Sequence, residues 1–385
     1  MASPMRVFLV ALFLSSCLFA QDLAVQKSNT TENLRGISTP SRNVAWASGT
    51  HGTYLRTTDG GETWQAAQVP GAETLDFRDV EAFSADVAYL LAAGPGEQSR
   101  IYKTANAGKT WALQFTNNNP KGFFDCMAFW NRDRGIAVGD PVNGKFELIT
   151  TKDGGKHWKS IPTASLPSAV ESEGAFAASG TCIAVQGKKN IWFATGGKVA
   201  RVFRSTNAGK TWTVADTPIV HGADSSGIFS IAFRDSKNGV IAGGDYKQPE
   251  KGGPNLASTD DGGLTWKLAA VSPQWYFSAV AFSSRVGTAA QACPERSRRG
   301  CPAERSSALL VAGSAHAACS NDLSAKPWTK IWDLNLNALS VAPDGRAIAV
   351  GPKGVIVRFT PQLQISASLR TRSGSSFRSE RMHPQ

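Results

Sequence analysis

Charge is scarce in this chain: Asp, Glu, Lys and Arg make up 18% of 385 residues. The residues that most often perform chemistry are few as well, with five His, five Tyr and six Cys. Sparse charge beside 42% apolar residues excludes disorder over the whole length and leaves enough to bury a sizeable core. Glycine has no period of three and no heptad run occurs, so neither a collagen nor a coiled coil is present. The cysteines form no CxxC pair and the histidines at 51, 157, 221, 316 and 383 are scattered, so no zinc site is spaced along the chain. A GxGxxG phrase and flavin or haem motifs are also missing; no metal and no other cofactor is expected.

What is there begins with a leader-like segment. Arg6, the apolar run Val7 to Ala20 and then Gln21-Asp22 have the form of a secretory signal over residues 1–20, too short to span a bilayer. The expected location is therefore periplasmic or extracellular. Leu14-Ser15-Ser16-Cys17 resembles a lipoprotein box, which would lipidate Cys17, although Leu18-Phe19 continues the apolar run and favours simple cleavage. No later stretch is long and apolar enough to be a transmembrane segment.

The net charge of +11 is not a nucleic-acid footprint once divided. Arg6 supplies one positive charge, residues 285–307 a net three and residues 362–385 a net three, which leaves four scattered over the rest. Residues 285–307 hold a partly duplicated Cys-Pro-Glu-Arg-Ser unit with Cys293 and Cys301, read as a low-complexity insertion in which a disulfide stays open. Residues 362–385 share the Arg/Ser bias and are read as a disordered tail. Cys126 and Cys182, in apolar strand-like segments, are expected as small buried residues.

An internal repeat dominates the region between. Five octets share one pattern, beginning with Thr57-Thr-Asp59-Gly-Gly61-Glu-Thr-Trp64 and Thr104-Ala-Asn106-Ala-Gly108-Lys-Thr-Trp111. The others end on Asp153 with Trp158, Asn207 with Trp212, and Asp261 with Trp266, and the tryptophans are 47, 47, 54 and 54 residues apart. A degenerate sixth copy is Ser320-Asn-Asp322 with Trp328. Asp or Asn before glycine is hairpin chemistry, because the side-chain oxygen accepts turn N–H bonds and glycine takes positive φ. The trailing tryptophan then covers the hairpin. These aspartates are read as structural.

Seven short apolar segments, around Gly36, Asp79, Asp125, Cys182, Ser230, Ser278 and Ala338, are each followed by a second strand, mostly ending in glycine. With the two strands that flank each octet they make units of four strands and about 50 residues, the size of a propeller blade. The expected fold is all-β: a seven-bladed β-propeller over residues 21–361 with four-stranded antiparallel blades. The segment Asp22 to Gln26 is expected to supply the outer strand that the seventh unit lacks, so that N- and C-terminal strands close one blade. The insertion then falls between the first two strands of blade six.

The octets match the Asp-box, or BNR, repeat. With Gly49-Thr-His-Gly-Thr-Tyr-Leu-Arg-Thr-Thr-Asp-Gly-Gly and Gly351-Pro-Lys-Gly-Val-Ile-Val-Arg-Phe, the chain resembles the photosystem II stability/assembly factor-like propellers, most closely their exported bacterial relatives. The resemblance spans about residues 22–361 and implies a chaperone-like binding role with a membrane-protein partner. Asp boxes also occur in sialidases and other glycosidases, so fold is better specified than activity.

In a propeller the starts of the inner strands and the loops between second and third strands meet at one mouth of the channel. That nominates Arg35, Arg78, Asp79, Asp125, Asp140, Glu173, Asp245, Tyr246, Lys247 and Tyr276, with Trp275 nearby. Arg35 and Arg78 would meet an anionic group or a partner's carboxylate, or hold the channel together with acids. Asp140 and Asp245 follow strand-ending glycines and would line the mouth or cap turns; Tyr246, Trp275 and Tyr276 would anchor a partner or pack in the core. The expected activity is a non-catalytic binding or assembly module, monomeric, with a protein partner and a glycan as the other ligand class. The alternative is a sialidase-like glycoside hydrolase, for which no pair of carboxylates is singled out and the Arg-Ile-Pro phrase is missing. An oxidoreductase, as some relatives are labelled, has no cofactor motif here.

Overall fold

The computed structural model describes residues 24–284, 307–320 and 328–360. The leader with Cys17, most of the insertion with Cys293 and Cys301, Asp322 of the degenerate octet, and the tail lie outside the described residues. The described strands form seven antiparallel sheets. In sheet 1, Leu34–Ser38, Ala45–Gly49, Thr53–Thr57 and Gln65–Gln68 pair in chain order. Sheet 2 (Phe77–Ala82 to Ala112–Thr116), sheet 3 (Phe124–Asn131 to Lys159–Ser160) and sheet 4 (Ile183–Gln186 to Thr213–Asp216) repeat that meander. So do sheet 5, from Ala223–Phe233 to Lys267–Leu268, and sheet 6, from Ala279–Ser284 to Thr329–Trp332. Sheet 7 holds Ala338–Val341, Ala347–Val350 and Ile356–Phe359, and its fourth strand is Ala24–Gln26, which lies antiparallel to the last with Val25 opposite Val357.

First strands of successive sheets touch one another, and that of sheet 7 touches that of sheet 1. The second strands Ala45–Gly49 and Ala88–Ala92 are buried along their whole length, because sheets lie against both of their faces. Last strands such as Gln65–Gln68 and Lys159–Ser160 are polar and mostly exposed, which leaves short amide-bearing or charged edges at the rim. Between sheets sit tight apolar clusters; one runs from Cys126 and Phe146 of sheet 3 to Phe193 and Phe203 of sheet 4.

Each octet closes the hairpin between third and fourth strands. Thr57 Oγ1 donates to Asp59 Oδ1 at 2.7 Å; Asp59 also accepts the backbone N–H and the hydroxyl of Thr63 at 3.0 and 2.6 Å. Thr57 Oγ1 in turn accepts from Gly61 N–H. Asn106 reproduces the arrangement with one donor reversed, since its Nδ2 donates to Thr110 Oγ1 at 2.8 Å. Trp64, Trp212 and Trp266 are buried, while Trp111 is half-buried against Tyr54 of the preceding sheet and Trp158 against Phe129 of its own sheet.

Two features depart from the sequence expectation. Cys126 and Cys182 are not separate small core residues: they form a disulfide between sheets 3 and 4, with Cα atoms 6.0 Å apart. Both face the same inter-sheet cluster, which no spacing rule could reveal. Sheet 5 has six strands, because Glu173–Gly174 pairs with Gly196–Gly197, which pairs with the start of Ala223–Phe233. Glycine is required there: a Cβ on Gly196 would stand 2.2 Å from the Phe176 ring and 2.9 Å from Gly227 Cα.

Candidate functional site

The segment between Gly174 and Ile183 crosses the space enclosed by the first strands. Arg78 Nη1 donates to Ala177 C=O at 3.1 Å, and Asp140 Oδ1 accepts from Ala175 N–H at 2.9 Å. Ser179 Oγ donates to Ser278 C=O, and Thr181 C=O accepts from Ile231 N–H. One short stretch is thereby tied to sheets 2, 3, 5 and 6. Its residues Ser179 to Thr181 also help to line a cavity of about 320 Å³, together with Asp79, Glu81 and Ser340.

At the mouth, Asp76 Oδ2 takes Arg78 Nε at 2.7 Å and Arg35 Nη2 at 3.7 Å. Burial and the neighbouring Arg78 charge lower the Arg35 pKa, and its buried Nε has no hydrogen-bond partner among the described residues. Asp125 is buried with Oδ2 unpartnered; desolvation and the Asp140 carboxylate push its pKa well up, against the attraction of Arg78. Asp140 itself is raised to about 6, chiefly by burial. Aromatic rings complete the cluster. Phe176 stacks on Phe229 at 4.0 Å, and Phe229 meets Tyr276 edge-on at 4.8 Å and Tyr246 at 6.1 Å. Tyr276 is buried, and desolvation raises its hydroxyl pKa; Tyr246 is 47% exposed.

The nominated residues therefore separate into groups. Arg35, Arg78, Asp125, Asp140, Tyr246 and Tyr276 come together. Asp79 lies deeper, buried under Gly180, accepting from Met127 N–H at 2.7 Å; desolvation and Glu81 raise its pKa. Glu81, two residues on along the same strand, is raised to about 8 by burial. Glu173 is a structural clamp: Arg201 grips both its oxygens, and Thr195 Oγ1 and Val170 N–H donate to it. Asp245 caps a turn, accepting from Lys247 N–H and Gln248 Nε2, each at 2.9 Å. Lys247 is exposed beside it, and the half-buried Trp275 packs against His316 at 4.6 Å. Sequence reasoning missed Asp76, Phe176 and Glu81. Asp76 stands two residues before Arg78, on the same side of an extended stretch, and that spacing could have signalled it, but nothing local marks Phe176. The described residues contain no group of three or more His, Cys, Asp or Glu placed to hold a metal.

No protein-family model matches the chain, and no curated protein matches it either. Solved structures do. YCF48 bound to a D1 peptide is 16% identical, with a TM-score of 0.55 over 88% of this chain and 97% of that one. The Pan2 WD40 domain of Neurospora crassa has a TM-score of 0.57 at 12% identity, over 86% of this chain and 90% of that one. U3-55K gives 0.54 at 11%, over 88% of this chain and 98% of that one. These similarities define the fold as a β-propeller. No helix among the described residues is long and apolar enough to cross a membrane.

Proposed function

We propose that the chain is a closed, seven-bladed Asp-box propeller that works outside the cytoplasm as a monomeric, non-catalytic binding or assembly module. Its partner is a protein, and an extended segment of that partner docks at the mouth formed by Arg35, Arg78, Phe176 and Tyr246. The carrying observation is the juxtaposition there of an exposed tyrosine on an aromatic stack with a partly buried arginine whose Nε has no acceptor. Aromatic and arginine anchors of this kind dominate binding energy at interfaces. A propeller of similar fold with a peptide bound to it agrees with this reading, as does the sequence resemblance to assembly-factor propellers. The disulfide fits export to an oxidising compartment, after a cleaved leader.

The experiment is a titration of immobilised peptide arrays with the purified protein. Arg35→Ala and Tyr246→Ala should each weaken capture about tenfold or more, within the range of interface anchors, with melting unchanged. A sialidase-like hydrolase is the second reading, favoured by the raised, mutually interacting Asp125 and Asp140. Turnover of a glycoside panel, lost in Asp140→Asn, would overturn the binding reading in favour of that one.

A further inference from the structure

Away from the mouth, a groove of about 630 Å³ runs along the rim between sheets 3 and 4. Its volume lies within the range of ligand-sized clefts. Trp130, Ile161 and Pro162 supply an apolar floor, and Arg134, Lys152, Lys159 and Lys210 stand around it. The Arg134 guanidinium lies 4.3 Å over the Trp130 ring and donates to Lys188 C=O. Among the described residues, the ammonium groups of Lys152, Lys159 and Lys210 have neither a hydrogen bond nor an ion pair. Asp153, the carboxylate in the lining, is engaged within its own turn by Thr151 Oγ1, the His157 backbone N–H and His157 Nδ1. The groove thus carries an uncompensated positive charge above an apolar base.

One wall is an open sheet edge. Lys159–Ser160 is the outermost strand of sheet 3, and both residues are exposed. Ile161 N–H donates inward to Leu148 C=O at 2.8 Å, so the alternation of an antiparallel ladder turns the N–H and C=O of Ser160 outward. Exposed backbone groups of this kind accept an added strand.

We propose that this groove binds an acidic, extended protein segment that adds as a strand alongside Lys159–Ser160. Its backbone exchanges hydrogen bonds with Ser160, its carboxylates meet Lys152, Lys159 and Lys210, and an intervening apolar side chain lies on Trp130 and Ile161. The open edge decides between anionic polymers, because a polysaccharide or a lipid headgroup could use the lysines but not the backbone of Ser160. The site is separate from the mouth.

The test uses the full chain and a labelled ten-residue peptide of alternating Glu and Leu, read by fluorescence anisotropy at low salt. Binding should weaken steeply as salt is raised and fall about tenfold or more in Lys159→Glu/Lys210→Glu, as expected for complementary charges. Ser160→Pro removes an outward N–H without costing a ladder bond, and should weaken peptide binding while leaving the melting temperature unchanged. If that variant unfolds, Lys152→Glu takes its place in the comparison. Arg35→Ala should bind the peptide as the parent does, which separates this site from the mouth. The proposal is overturned if the peptide does not bind, if charge reversal leaves affinity unchanged, or if polygalacturonate or anionic vesicles bind and the peptide does not compete.

Discussion

Cys126 and Cys182, 56 residues apart in the chain, are joined by a disulfide that links the first strand of sheet 3 to the residue leading into sheet 4. It fastens both sheets within their shared apolar cluster, at the end of the segment that crosses the mouth. Reduction should therefore loosen the mouth as well as the core. Chain-entropy arguments give about 4 kcal/mol for a loop of this length. Cys126→Ala/Cys182→Ala should lower the urea midpoint accordingly, and added reductant should shift the parent but not the variant.

The octet aspartates should make stability fall at acid pH. Thr63, through its hydroxyl and backbone N–H, pulls Asp59 down to about 2; the His157 side chain and backbone N–H do the same for Asp153. At Asp261 burial opposes the shift and Thr265 outweighs it. A carboxylate with a depressed folded pKa adds stability above its unfolded value near 4 and loses it as pH falls through the folded one. The octets' own contribution to stability should be flat above about pH 5 and drop between about pH 4 and 2. Asn106 and Asn207 occupy the same position without titrating, so Asp59→Asn should keep the turn and flatten part of that drop in calorimetric scans.

Two octets carry backbone strain. Ala107 and Ala208 sit at φ of 66° and 64°, where Gly60, Gly154 and Gly262 stand in the other copies. A Cβ disfavours that left-handed region. Ala107→Gly and Ala208→Gly should each stabilise the protein by about 0.5–1 kcal/mol, with the larger unfolded-state freedom of glycine offsetting part of the relief. Denaturation midpoints of the single and double variants check this, and the two effects should add.

Asp140 predicts the opposite pH trend from the octets. Its folded pKa of about 6 exceeds the unfolded value, so the folded state holds the extra proton and loses stability as pH rises from about 4 to above 6. Asp140→Asn keeps an acceptor for Ala175 N–H and removes the charge. It should narrow the stability difference between pH 5 and pH 8 by about 1–2 kcal/mol, after allowing for the group's partial exposure. An unchanged difference would place the titration elsewhere, with Glu81 the next candidate.

Much of the architecture was legible because it repeats. The octets and the glycine-terminated second strands carry their geometry in local chemistry, so hairpins at Asp59, Asn106, Asp153, Asn207 and Asp261 could be read one copy at a time. The mouth was only partly legible. Arg35, Arg78, Asp125 and Asp140 could be nominated from their places on strands that start at the same end. Glu173 and Asp245, nominated by the same rule, bond elsewhere: Asp245 caps its own turn through Lys247 and Gln248, and Glu173 is held by partners distant in sequence. Arg201, which holds Glu173, lies 28 residues away.

By itself, the sequence determined the repeating unit, its hairpins and the apolar strands that must be covered on both faces, since each depends on residues a few positions apart. The tertiary structure alone decided which side chains share a space. It joined Cys126 to Cys182, laid the Gly174–Ile183 stretch across the mouth, and left Asp125 and Arg35 with unpartnered buried atoms. The physical reason is that burial and charge pairing act through distance in space, and the packing of one sheet against the next sets those distances after the local pattern has done its part.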